Sequence, residues 1–104
     1  MSVDQIILNQ LGGMGKLSAM IGAHSFAAGD FGHGDGEGVS FKIKAKNKLG
    51  VKAVIITLNG LDLYKVRFVA IKNYAPVDKF MLDNVYADML EGLFESELGL
   101  YLRF

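Results

Sequence analysis

The stretch VKAVIITLNGLDLYKVRFVAIK, residues 51–72, constrains the fold more than any other part of the chain. It is two runs of β-branched, aromatic and aliphatic residues separated by Asn59-Gly60. A two-residue type I′ turn needs positive φ at both central positions. Asn and Gly supply this at little cost, so the pattern predicts a β-hairpin. With a loop of only those two residues, Leu58 faces Leu61, Ile56 faces Leu63 and Val54 faces Lys65. The other side then carries Ile55 with Tyr64, Ala53 with Val66 and Val51 with Phe68. Both sides are largely apolar in that register. One can lie under helices, and the other needs a second cover, for which a partner copy is the natural candidate. A homo-oligomer is expected on that ground, and the apolar tail LYLRF (100–104) adds to it.

Upstream, GVSFKIKAK alternates cleanly. Val39, Phe41, Ile43 and Ala45 point one way and Ser40, Lys42, Lys44 and Lys46 the other, which predicts a strand over 39–46. The preceding GDFGHGDGEG holds glycines at 29, 32, 34, 36 and 38 and reads as a hairpin tip. Residues 16–29 are compatible with a short strand pair or one helix. Strand is favoured for 23–29 because the hairpin loop follows. At the start, MSVDQIILNQLGG reads as a short helix: Ser2 and Gln5 form a capping box, Ile7 and Leu11 share a face, and Gly12-Gly13 stop it. At the other end, residues 75–99 are expected to form the main helix, with Asp78 as cap. Phe80/Met81, Val85, Met89 and Leu93 keep near-helical spacing, and Asp83, Asp88, Glu91 and Glu95 take the wetter side. The order is helix, hairpin, hairpin, helix. The expected fold is one α+β domain over 1–104: a two-layer sandwich, its antiparallel sheet of three to four strands carrying both terminal helices on one face.

The 104 residues sum to zero formal charge, yet the charges are segregated. Residues 42–79 sum to +7, residues 1–41 to −3 and residues 80–104 to −4. Folding must bring a basic middle against two acidic ends. The absence of cysteine removes disulfides and thiolate chemistry and fits a reducing cytosol. No apolar run is long enough to span a bilayer and no secretory signal is visible, so no membrane association is expected.

Catalytic and cofactor chemistry finds little purchase. GGMGKLS resembles a phosphate loop, but Leu17 stands where a hydroxyl is required, and position 10 is Gln, not Gly. Asp30, His33, Asp35 and Glu37 are potential metal ligands, but they match no calcium-loop pattern, and the second histidine, His24, lies across the hairpin. His24 and Ser25 are neighbours, and in a regular strand their side chains point to opposite faces. No catalytic, cofactor-binding or metal residue is assigned. The row Lys42, Lys44, Lys46, joined by Lys52, Lys65 and Arg67, is the candidate surface for nucleic acid or another partner. Lysines about 6.5–7 Å apart along a strand can meet successive phosphates, and they also serve to keep an edge soluble. Asp88, Glu91 and Glu95 form a second candidate, an acidic helix face.

The segments ILNQLGG, SAMIGAHSF, SFKIK, ITLNGLDLYKVRF and VYADMLEGLFESELGLYLRF resemble a small uncharacterised family encoded by bacteriophages, prophages and other mobile elements. The resemblance implies a mobile-element origin and action in the bacterial cytosol. It carries over no functional residue. The expectation is a non-enzymatic accessory protein that binds a host or phage macromolecular complex, as an inhibitor of a defence or nucleic-acid-processing machine. The alternative is direct nucleic-acid binding through the lysines.

Overall fold

The computed structural model describes residues 3–30, 37–58 and 63–99. Two short helices, α1 (Val3–Gln10) and α2 (Met14–Ile21), precede five strands: β1 (His24–Asp30), β2 (Glu37–Lys42), β3 (Ala53–Leu58), β4 (Tyr64–Lys72) and β5 (Ala75–Val85). A 3-10 turn (Ala87–Met89), one turn of α-helix, α3 (Leu90–Leu93), and a π turn (Phe94–Leu98) follow without a break. The sheet is one antiparallel meander in the order β1-β2-β3-β4-β5. The class is α+β, with five strands where three to four were expected.

The strand over 23–29 is present as β1. The residues before it, also read as a strand candidate, form α2. Gly22 makes the change of direction: at φ 66° it ends α2, and the N–H groups of Gly22 and Ala23 bond back to the carbonyls of Ser18 and Leu17.

The main helix over 75–99 is not formed in its first half. Residues 75–85 are a strand, because Asn73 (φ 52°) and Tyr74 (φ 65°) make a two-residue turn that folds β5 back along β4. Met81, Val85 and Met89 fit either period, Phe80 and Val85 share the core side only through the bulge at Asn84, and hydrogen bonding to β4 decides for the strand. Met81 (56% exposed) and Met89 (42%) would have been core on a helix and are not. The helical period holds only from Leu90, through Leu93 and Phe94, to Leu98, all of them buried.

The β3–β4 register also differs from expectation. Leu58 pairs with Tyr64, Ile56 with Val66 and Val54 with Phe68. The physical reason is charge. A loop of Asn59-Gly60 alone sets Lys65 opposite Val54, on the core side. The observed register puts Tyr64, Val66 and Phe68 inside and sets Lys65 opposite Thr57 and Arg67 opposite Ile55 on the other side, where Thr57 is buried and the other three are half-buried. The second face then carries Lys65 and Arg67 in place of the expected Tyr64 and Val66. Asn59-Gly60 itself lies outside the described residues.

One core joins the inner sheet face to the helices: Val39, Phe41, Val54, Ile56, Val66 and Phe68 cluster with Ile7, Leu11, Leu17, Ile21, Leu90, Phe94 and Leu98. Phe94 stacks on Phe41 of β2 and meets Phe68 of β4 edge-on, centring the C-terminal segment over the sheet. Gly38 lets β2 approach β3 closely; a Cβ there would strike the Ile56 carbonyl and the Thr57 backbone. β5 is an edge strand, and it is blunted. The two-residue turn makes Lys72/Ala75 the hydrogen-bonded pair, so Pro76, opposite Ile71, turns its N–H-less nitrogen outward. Two bulges follow, the second at Asn84 (φ 57°), where the Asp83 carboxylate accepts the Asn84 N–H.

Candidate functional site

The strand expected over 39–46 ends at Lys42, yet the alternation of burial runs on. Ile43 and Val51 are buried and Lys42, Lys44, Lys46 and Lys48 are exposed. What continues is a tied loop. The Ile21 carbonyl, at the end of α2, accepts the N–H groups of Lys44 (3.3 Å) and Ala45 (3.2 Å). Asn47 bridges the loop: its amide donates to the carbonyls of Ala45 (3.1 Å) and Val51 (2.9 Å), and its Oδ1 accepts the Val51 N–H (2.7 Å). Lys48 N–H reaches the Leu98 carbonyl at 3.1 Å, which sets that lysine at a helix C-terminus, a place that favours a cation. The chain returns to the sheet when Lys52 N–H bonds the Val69 carbonyl at 2.8 Å.

The meander gathers these residues. β2 and β4 finish at the same end of the sheet where β3 and β5 begin. That end therefore carries Lys42, Lys44, Lys46, Lys52 and Lys72, all exposed. No ion pair holds any of the five among the described residues. Among the other described cations, Lys79 is exposed on β5, and Arg67, Lys16 and Lys65 are differently engaged. Arg67 binds Asp78 through Nη2 at 3.2 Å and 3.4 Å and through Nε at 3.3 Å. Lys16 lies 4.0 Å from Glu91. Lys65 is half-buried on the outer face, opposite Thr57. Of the six cations singled out in the sequence, Lys42, Lys44, Lys46 and Lys52 come together, while Lys65 and Arg67 sit further along β4.

The acidic candidates lie on consecutive helical turns, Asp88 on the 3-10 turn, Glu91 on α3 and Glu95 on the π turn. Asp88 is exposed, and Glu91 and Glu95 are half-buried. Asp83, expected on the same helix, is on β5.

His24 and Ser25 do meet, contrary to the expectation for a regular strand. Ser25 sits at φ 57° in a bulge of β1, which swings its hydroxyl to 3.0 Å from His24 Nδ1. The contact is local and lies at an exposed edge, with no third group orienting the imidazole among the described residues. His33 and Asp35 lie outside the described residues, and Glu37 opens β2. Among the described residues no group of three or more potential ligands is placed to hold a metal. No helix among them is long and apolar enough to cross a membrane. Burial pushes the Tyr64 phenol above its ordinary range, far from the lysines at the opposite end of β4.

Sequence reasoning missed Lys72 and Tyr74. Tyr74 is fully exposed at the tip of the β4–β5 hairpin. The signal was Asn73 between two strand-like runs, but with Tyr rather than Gly after it the dipeptide is a weak turn signature. No protein-family model matches the chain, and no curated protein and no solved structure is significantly similar to it, so its own geometry carries the functional reading.

Proposed function

We propose that the protein is a non-enzymatic binding protein that docks the lysine-lined end of its sheet on nucleic acid. The observation that carries this reading is the gathering of five exposed lysines at one end of the meander, in a chain whose formal net charge is zero. In this reading the molecule is two-layered, with the helices on one face of the sheet and the charged loop fastened where that face meets the sheet end. Ammonium groups on a tied loop displace the counterions of a phosphate backbone without first having to order the chain that carries them. The test is a gel-shift and anisotropy titration with single and double strands. Log affinity falls linearly with log salt, by about 0.7 per phosphate contact on a single strand. No binding to either form at low salt rejects the reading.

A second reading is a mobile-element accessory protein that blocks a host defence or nucleic-acid-processing complex. It draws support from Asp88, Glu91 and Glu95, whose spacings of three and four along one helical segment give them a common face. That face would enter a basic channel in place of nucleic acid. Pull-down from bacterial lysate with all three residues reversed to Lys loses the partner if this reading holds; unchanged partners reject the face as the contact.

A further inference from the structure

We infer that Tyr74 is a base-stacking anchor for single-stranded nucleic acid, with Lys72 and Lys52 engaging the phosphates beside it; this rests on the nucleic-acid reading above. Four observations converge on the residue. The first is exposure: Tyr74 is 103% exposed, whereas a tyrosine ordinarily hides most of its ring. The second is strain. Tyr74 holds φ 65° in a two-residue turn, in the left-handed region where a glycine would be at ease. A side chain kept at a costly backbone position, with its ring entirely in solvent, points to a role outside the fold.

The third is reach. β3 pairs with β4 only from Tyr64 to Val69, while β4 and β5 pair onward through Ile71–Pro76 and Lys72–Ala75. The hairpin tip is thus a two-stranded arm projecting past the rest of the sheet, with Ile71 56% exposed on it. The fourth is charge. Lys72 lies on the arm, and Lys52 is joined through its N–H to Val69 at the base of the arm. The acid near that base, Asp78, is bound by Arg67.

An exposed aromatic ring with Lys72 two residues away and Lys52 at the base of its arm matches a nucleotide, which offers a π face and a phosphate together. In a duplex those faces are already stacked on one another, so a single strand is the form that fits. A protein partner would also use an exposed tyrosine, but Lys72 on the arm and Lys52 at its base favour a polyanion.

The probe is a labelled oligothymidylate of about 16 nucleotides, the upper site size of a small single-strand-binding domain. At fixed salt Tyr74→Ala lowers affinity about tenfold or more, with the salt slope unchanged because the phosphate contacts remain. Tyr74→Phe keeps the affinity. Tyr74→Gly, which suits the turn better than the wild type, loses affinity as Ala does while melting no lower. Tyr86→Ala, an exposed tyrosine just past the far end of β5, changes nothing. Wild-type binding that Tyr74→Ala leaves intact overturns this inference and spares the reading beneath it. So does preference for duplex, or a Tyr74→Phe variant as weak as Tyr74→Ala. Wild-type protein that binds no nucleic acid, or that captures a protein through Tyr74 instead, overturns both.

Discussion

Phe94→Ala is expected to cost about 3–5 kcal/mol of stability, the range for truncating a buried aromatic. A domain of this length holds about 5–15 kcal/mol in all, so the variant should stand near the edge of folding. The argument is one of connectivity. Phe94 is 0% exposed and its ring centroid lies 6.5 Å from that of Phe41 and 5.3 Å from that of Phe68. Phe41 in turn meets Phe26 of β1 at 5.3 Å, and Phe68 meets Phe80 of β5 at 5.4 Å. Five rings thus run from one sheet edge to the other, with Phe94 as the only member not on a strand. Its loss opens a cavity at the centre and unfastens the C-terminal helical segment from β2 and β4 together. Met89→Ala is the informative partner. On a helix running from 75 to 99, Met89 would share the apolar stripe and cost several kcal/mol; at 42% exposed it should cost under about 1 kcal/mol. Urea unfolding followed by circular dichroism measures both. Similar losses for the two variants would reject the exposed placement of Met89.

That comparison also locates what sequence could and could not reveal. The α+β class, the first helix, β1 and the strands around residues 39–42, 53–58 and 64–72 were legible, because their apolar spacing agrees with only one period or their turn chemistry is strong. Residues 75–85 were not. Met81 and Val85 fit both periods, Phe80 joins Val85 on the core side only through the bulge at Asn84, and the deciding contact is the β4 ladder, which no local pattern encodes. The hairpin register failed for a related reason. Asn59-Gly60 is a strong local signal, but keeping Lys65 and Arg67 out of the core outweighs it. Of the candidate site, the lysine alternation was visible, but its physical meaning was not. Lys44 and Lys46 are presented by a loop fastened to α2 and by Asn47, not by a strand. Tyr74 escaped notice because a tyrosine in the left-handed region is rare enough that sequence patterns discount it.

Replacing Lys42, Lys52 and Lys72 together by alanine is expected to weaken single-strand binding about a hundredfold at 0.1 M salt. The figure follows from counterion release: three contacts at about 0.7 each contribute roughly two decades at that salt, and the log–log slope should shrink by about 2. Stability should hardly move, because all three side chains are exposed and none forms an ion pair among the described residues. Arg67→Ala makes the contrast. Arg67 carries the same charge and shares β4 with Lys72, but its guanidinium is committed to Asp78 at 3.2 Å. Removing it also frees an acid, so the local charge falls as it does for a lysine, while no phosphate contact is lost. Its slope should stay at the wild-type value, and its affinity should fall only through the long-range field, which salt at 0.1 M screens beyond about 10 Å. Total charge alone would order the variants by charge removed, with Arg67→Ala falling a third as far as the triple variant on a logarithmic scale. A located site instead puts nearly all of the loss, and all of the change in slope, at the sheet end where β2 and β4 finish. A slope that falls for Arg67→Ala as much as for each lysine would dissolve the site into a diffuse field and remove the ground for assigning Tyr74 a neighbouring phosphate.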